Sequence, residues 1–169
     1  MTLTDLFIAD IDREAPLTRR ALAAVPEGRG DWKPHPKSMP LGYLSSLVAM
    51  MPSWLTMTIE QDEFDLQPPS GTPSKFAQTF DTADALVKAM DEGFAGARRA
   101  LQNTTDAHLM TPWRLKAAGK VVMEAPRHVV LRDSLMHLSH HRGQLTVYLR
   151  LNDIKVPSIY GPSADDQRF

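Results

Sequence analysis

The most regular feature of the chain is a set of four stretches in which apolar residues recur every three or four positions, the spacing of one face of an α-helix. They cover about Thr4 to Ala24, about Ser38 to Ile59, Asp81 to Leu101 and about Arg127 to Leu151. A chain of 169 residues suits one domain with a sizeable core. The pattern therefore predicts an all-α single domain over residues 1–169, a four-helix bundle.

Prolines and polar residues predict where these helices begin and bend. Pro16 lies inside the first stretch, so a kink or break is expected near Ala15. Ser38 is a plausible N-cap of the second helix, with Pro40 in its first turn and a kink at Pro52. Asp81, the first residue of the third stretch, is the expected N-cap of the third helix.

Three segments between the helices lack helical spacing. The Pro- and Gly-rich residues 26–36 predict a loop, and Leu66 to Ser74 predicts an extended connection. From Asp106 to Pro126 the pattern changes, and two short apolar runs around Gly119 predict a short irregular hairpin before the last helix.

The last helix carries apolar residues on two sides. The main stripe consists of leucines, at positions 131, 135, 138, 145 and 149, and the weaker one of Val129, Met136 and Val147, close to Gly143. A helix that is apolar on two sides is normally covered on both. The C-terminal tail, the hairpin or a second copy of the chain could form the second cover. Cover by a second copy would make the protein a homodimer, which is the assembly that we expect.

Composition excludes several classes of function. With 19 basic and 20 acidic residues there is no positive excess to neutralise phosphates, so no nucleic-acid partner is expected. The absence of cysteine excludes disulfides, thiolate catalysis and cysteine-bound zinc. The least charged run, residues 38–59, is too polar for a membrane span, and residues 1–7 lack a basic signal-like segment. We expect a soluble, cytoplasmic protein.

The candidate chemistry lies on the last helix. His137 and His141 are four residues apart and therefore share a helix face, where their ring nitrogens can converge on a divalent metal ion. His140 points away from this face, towards the second apolar stripe or solvent. The alternative is a pair of structural polar side chains, because such spacing is common and a site also needs a third ligand.

Two neighbours of the pair have roles that the sequence leaves open. Arg142 falls close to the leucine stripe, so it should either extend to solvent or pair with a carboxylate, as a structural salt bridge rather than a substrate contact. Gln144 either orients a histidine by a hydrogen bond or faces water.

Three strings in the chain resemble the DinB-like (YfiT-type) family. They are WKPHPKSMPLGYL at residues 32–44, HLSHHRGQLTVYLRL at 137–151 and VPSIYGPSADD at 156–166. The resemblance implies a four-helix bundle of up-down-down-up connectivity, related to maleylpyruvate isomerase and to mycothiol- or bacillithiol-dependent transferases. It also implies homodimers and one divalent metal, often zinc or nickel, held by three histidines.

Carried over to this chain, the resemblance makes His137 and His141 the two metal ligands on the last helix. The third ligand of the family closes a Leu-Gly-x-Leu-x-x-His pattern, and residues 41–47 read LGYLSSL, so Leu47 stands at that position. Leucine cannot coordinate, and two imidazoles alone bind a metal weakly. Glu60 or Asp133 are possible replacements.

The sequence is consistent with two functions. The first is a metal-assisted transferase or hydrolase whose thiol, if it uses one, comes from a low-molecular-weight cosubstrate, because the chain has no cysteine. The second is a non-catalytic dimeric bundle that binds a small molecule or a stress-response partner. A carboxylate or imidazole converging on His137 and His141 would favour the first; leucine and tryptophan alone would favour the second.

Overall fold

The computed structural model describes residues 1–68 and 78–168 and contains four long helices, a short helix and a small sheet. Most of the predicted Leu66–Ser74 connection therefore lies outside the described residues. In chain order the elements are α1 (Leu3–Ala23), α2 (Leu41–Glu60), β1 (Glu63–Asp65), α3 (Ala83–Gln102), α4 (Asp106–Leu109), β2 (Pro112–Ala117), β3 (Lys120–Pro126) and α5 (Arg127–Leu151). In the described ranges, no helix is both long and apolar enough to cross a membrane.

Helix α1 begins with a capping box and continues past its proline. The Thr2 hydroxyl accepts a hydrogen bond from the Asp5 N–H, and the Asp5 carboxylate accepts one from the Thr2 N–H. Of the kink or break expected near Ala15, the break is wrong, because the helix continues through Pro16. Ile11 and Leu17, on either side of the proline, are both buried, and packing of this kind outweighs the loss of one backbone hydrogen bond.

The starts of α2 and α3 differ from the predicted caps. Pro40, not Ser38, precedes the first turn of α2, and it supplies no side-chain cap. The backbone N–H groups of Leu41 and Gly42 donate instead to the loop carbonyls of Trp32 and Gly30, at 2.8 and 2.9 Å. At α3 the cap is Thr82 rather than the expected Asp81. Its hydroxyl accepts a hydrogen bond from the Ala85 N–H at 3.2 Å.

The predicted hairpin is present and forms part of a larger sheet. Strands β2 and β3 pair in antiparallel fashion, and Ala118 and Gly119 turn the chain with φ of 51° and 77°. Strand β1 adds to the other edge of β2 in parallel, with Glu63 opposite Arg114. The purely helical class predicted from the pattern is thus incomplete: the fold is mainly helical with a three-stranded sheet.

The core lies among the four long helices. Helix α3 packs against α1 and α2, and α5 packs mainly against α2 and also against α1. The leucine stripe of α5 is buried as predicted. On the opposite side Met136 is 64% exposed and Val147 is 56% exposed, and a side chain at Gly143 would meet nothing within 4 Å in the described chain. Around Met136, Gly143 and Val147, neither the hairpin nor the described part of the tail covers this second face, whereas Val129, nearer the start of α5, is half-buried.

Candidate functional site

His137 and His141 lie one turn apart on α5 and are in direct contact. Their Nε2 atoms are 2.8 Å apart and their ring centroids 4.6 Å apart. His141 is buried, whereas His137 is exposed to solvent. Partial desolvation, followed by the neighbouring imidazoles of His141 and His140, lowers the pKa of His137 below its ordinary 6.5. His137 is therefore neutral near pH 7.

Gln144 determines which ring nitrogens carry hydrogen. Its side-chain oxygen lies 2.8 Å from His141 Nδ1, so that nitrogen must donate. In a neutral imidazole the other nitrogen then accepts, so His137 Nε2 donates to His141 Nε2 and His137 Nδ1 keeps a lone pair. The Gln144 amide nitrogen lies 3.1 Å from His140 Nε2. Of the two roles considered for Gln144, it takes the orienting one.

No third ligand completes the histidine pair in the described residues. No three histidine or acidic side chains among them are grouped closely enough to hold a metal ion. Leu47 lies on the wall of a cavity that reaches His137, and Asp133 lies at its rim. Glu60 lines a different groove, beside His108. Two imidazoles fall short of the three or four protein ligands that zinc normally takes, so this donor set does not fit a tightly held metal.

The cavity beside the histidines has a volume of about 560 Å³, within the range of small-molecule sites. Helix α2, β1, the hairpin and α5 all contribute to its wall. Aromatic and aliphatic side chains form most of the surface, and the polar side chains are few. The lining residues are Tyr43, Leu47, Trp54, Met57, Thr58, Phe64, Leu66, Trp113, Leu115, Met123, Val130, Asp133, Ser134 and His137.

The three-stranded sheet supplies a second part of this wall, and its contribution from β1 was not predicted from the sequence. Trp113 and Leu115 are two apart on β2 and therefore point to the same face, towards the cavity. Phe64 reaches the cavity from β1, a strand of three residues that is too short to produce a recognisable pattern. In the sequence, the apolar residues at positions 113 and 115 are the signal for a buried face of β2. They do not show which cavity that face lines.

Arg142 is structural. It is fully buried and forms an ion pair with Glu14 on α1, with 2.7 Å between the guanidinium nitrogen and the carboxylate oxygen. The guanidinium also donates to the Thr18 hydroxyl at 2.9 Å and to the Tyr160 hydroxyl at 2.5 Å. The predicted carboxylate partner is confirmed, and the network ties α1, α5 and the C-terminal tail together.

Arg127, at the start of α5, is a second buried arginine that the sequence did not single out. It is 1% exposed. Its guanidinium donates to the Thr58 carbonyl at 2.6 Å and also to the Gln61 carbonyl and the Asp62 carboxylate. These bonds satisfy carbonyls at the C-terminal end of α2 and fix that end against the first turn of α5. Arg127 thereby positions two sides of the cavity wall.

Comparison with known proteins identifies the family. A sequence model of the DinB family matches residues 2–168. The chain belongs to the DinB family. Among curated proteins, the DinB-family chain resembles the uncharacterized protein YrdA of Bacillus subtilis (strain 168), at 40% identity over 43 residues. That match spans 25% of this chain and 26% of YrdA.

Two crystal structures of DinB-like proteins share the fold of this DinB-family member. The DinB-like protein of Bacillus cereus ATCC 10987 superposes with a TM-score of 0.69 at 22% identity, covering 91% of this chain and 95% of that one. The DinB-like protein YjoA of Bacillus subtilis superposes with a TM-score of 0.66 at 16% identity, covering 96% and 99%. At these identities the likeness establishes the fold.

Proposed function

We propose that this DinB-family chain is a non-catalytic small-molecule-binding protein whose ligand occupies the cavity beside His137. The cavity itself carries the proposal, because a largely apolar concavity of about 560 Å³ with a few grouped polar side chains is the usual form of a ligand site. Trp54 and Trp113 in its wall supply large apolar surfaces for a bound molecule.

Position 47 favours binding over metal chemistry. Leu47 lies in the cavity wall where the family pattern has its third histidine, and the Trp54 ring centroid lies 5.8 Å from that of His137. Leu47 and Trp54, which α2 places in the cavity wall beside His137, thus offer no metal ligand. The pair also satisfies itself, since the shared hydrogen between the two Nε2 atoms occupies the lone pair that a metal would need.

A metal-dependent transferase or hydrolase is the second candidate. The observation in its favour is that the two Nε2 atoms converge to 2.8 Å while Gln144 orients His141, as an outer partner of a metal ligand does. His137 and His141 would hold zinc or nickel, with the remaining positions filled by water or by a bound low-molecular-weight thiol. Such a cation would lower the pKa of that water or thiol.

The assembly that we infer is the up-down-down-up four-helix bundle of the family, present as a homodimer. The contacts of α3 with α1 and α2, and of α5 with α2, support the bundle. The uncovered face of α5, with Met136 and Val147 exposed, supports the dimer.

Metal content separates the two candidates. The purified, untagged protein is measured by mass spectrometry before and after incubation with zinc or nickel. We expect far less than one equivalent in the wild type and close to one equivalent in Leu47→His, which restores the third imidazole. Tyr43→His is the matched control, because it adds an imidazole one turn away in the same cavity wall. Stoichiometric metal in the wild type that disappears in His137→Ala would overturn the binding proposal in favour of the metalloenzyme.

Ligand binding is tested directly with the neutral fluorescent probe N-phenyl-1-naphthylamine. We expect its emission to rise on binding to the wild type and the rise to be lost in Leu47→Trp, which fills the cavity. Leu151→Trp, at a position 55% exposed at the end of α5, is the control and should bind as the wild type does. Equal binding by both variants would show that the probe is not in the cavity.

A further inference from the structure

Three polar side chains of the cavity lie together on one side. Asp133, Ser134 and His137 are all on α5, and the spacing of one turn between the first and last places them on one face of the helix. The facing walls, from α2 and the sheet, are aromatic and aliphatic apart from the hydroxyls of Tyr43 and Thr58. A ligand with one polar end would therefore direct that end towards α5.

Each of these three groups offers a hydrogen-bond acceptor. The Ser134 hydroxyl donates its hydrogen to the Val130 carbonyl at 2.8 Å, which leaves only its lone pairs for a ligand. His137 keeps a lone pair on Nδ1, because its Nε2–H is directed at His141. The carboxylate of Asp133 accepts only, and its ion pair with Arg132 is long, 3.8 Å, between side chains that are 64% and 62% exposed.

The charge of the cavity has one sign. Among the described residues that line it, none is lysine or arginine, and the Asp133 carboxylate is the one full charge. On the α5 side, an anionic ligand would place its own acceptors against three acceptors and a negative charge, and no lysine or arginine among the described lining residues would offset the loss of hydration. A protonated amine would instead donate to these acceptors, and aromatic walls favour a nearby cation.

We propose that the cavity selects a hydrophobic primary amine, with its ammonium group at Asp133, Ser134 and His137 and its apolar body between α2 and the sheet. This inference rests on the proposed binding function. It names a chemical class of ligand: an aromatic or alicyclic body that fits about 560 Å³ and one protonated amino group.

Three compounds of matched shape test this selectivity, by displacement of N-phenyl-1-naphthylamine at pH 7 and low salt. They are 2-(1-naphthyl)ethylamine, 2-(1-naphthyl)ethanol and 1-naphthaleneacetate. We expect the amine to displace the probe at a concentration at least tenfold lower than the carboxylate, with the alcohol in between. Displacement by the carboxylate at an equal or lower concentration would overturn the inference, as would an alcohol as effective as the amine.

A variant of the rim carboxylate assigns the selectivity to its source. Asp133→Asn should weaken the amine about fivefold, the equivalent of a partly exposed charge pair of ~1 kcal/mol, and leave the alcohol within twofold. Asp153→Asn is the matched control: it removes the same charge roughly 30 Å away, and asparagine tolerates its positive φ of 59°. An unchanged amine affinity in Asp133→Asn would refute the assignment. If the probe itself does not bind the wild type, the binding function fails; if it binds but the amine has no advantage, only this inference fails.

Discussion

Arg142, the buried arginine that pairs with Glu14, gives the sharpest test of what holds the helices and the tail together. In Arg142→Met the guanidinium is removed while the Glu14 carboxylate, whose side chain is only 11% exposed, stays in place. Tyr160 then remains as a hydrogen-bond donor to that carboxylate, at 2.9 Å. The substitution thus leaves a negative charge in a poorly hydrated position with a neutral partner.

The expected loss of stability is large. Removing one partner of a buried ion pair costs about 3–5 kcal/mol, because the remaining charge keeps its desolvation penalty. In a chain of this length each kcal/mol corresponds to roughly 2–4 °C, so the melting temperature should fall by about 6–20 °C. The double variant Glu14→Leu/Arg142→Met removes both charges, and we expect it to recover most of the loss.

Urea unfolding followed by far-ultraviolet circular dichroism measures these free energies. The matched control is Arg19→Met, which breaks an ion pair with Asp91 between side chains that are 52% and 37% exposed and should cost less than about 1 kcal/mol. If Arg142→Met cost no more than Arg19→Met, or if the double variant were no more stable than Arg142→Met, the reasoning from burial would be refuted.

Three further predictions concern other parts of the fold. Arg127→Met should lower the free energy of unfolding by about 2–4 kcal/mol, because carbonyls at the end of α2 lose a buried charged donor, whereas the exposed Arg132→Met should change it by less than about 0.5 kcal/mol in the same urea assay. In NMR titrations the His137 imidazole should have its midpoint below 6.5; because the unfolded chain binds this proton more readily, its contribution to stability should fall as pH decreases below 6.5, and a midpoint at or above 6.5 would contradict the desolvation argument. Sedimentation should show a dimer that Val147→Asp converts to monomer, and a wild type that is monomeric at micromolar concentration would refute the dimer.

Elements with local signals were predictable from the sequence. The bounds of α5, Arg127–Leu151, agree with the apolar spacing, and the hairpin turns at Gly119 as its positive φ of 77° requires. The cap of α3 lies one residue after the predicted one because adjacent Asp81 and Thr82 can both cap a helix. Helix α2 starts two residues after the predicted cap because loop carbonyls, rather than a side chain, accept hydrogen bonds from its first N–H groups. Strand β1 could not be predicted, since its three residues are held by pairing with β2, some fifty positions later in the chain.

The candidate site also combines local features, which the sequence predicts, with non-local features, which it does not predict. Helical spacing brings His137 and His141 onto one face without help from the rest of the fold, so their contact follows from the sequence. The partner of Arg142 does not, because Glu14 lies 128 positions earlier and looks like an ordinary polar residue of a surface helix. The cavity is equally non-local, since its walls come from α2, the sheet and α5.

A histidine pair of this kind is therefore weak evidence for a bound metal ion. One hydrogen between the two Nε2 atoms and one between His141 and Gln144 satisfy three of the four ring nitrogens with no ion present. The remaining lone pair, on His137 Nδ1, belongs to a residue that lines the cavity. With Leu47 in place of a third imidazole, the hydrogen bonds of the pair orient a single acceptor, His137 Nδ1, beside an apolar cavity. We therefore predict that the identity of residue 47 decides between metal coordination and ligand binding, and the metal content of Leu47→His tests this prediction.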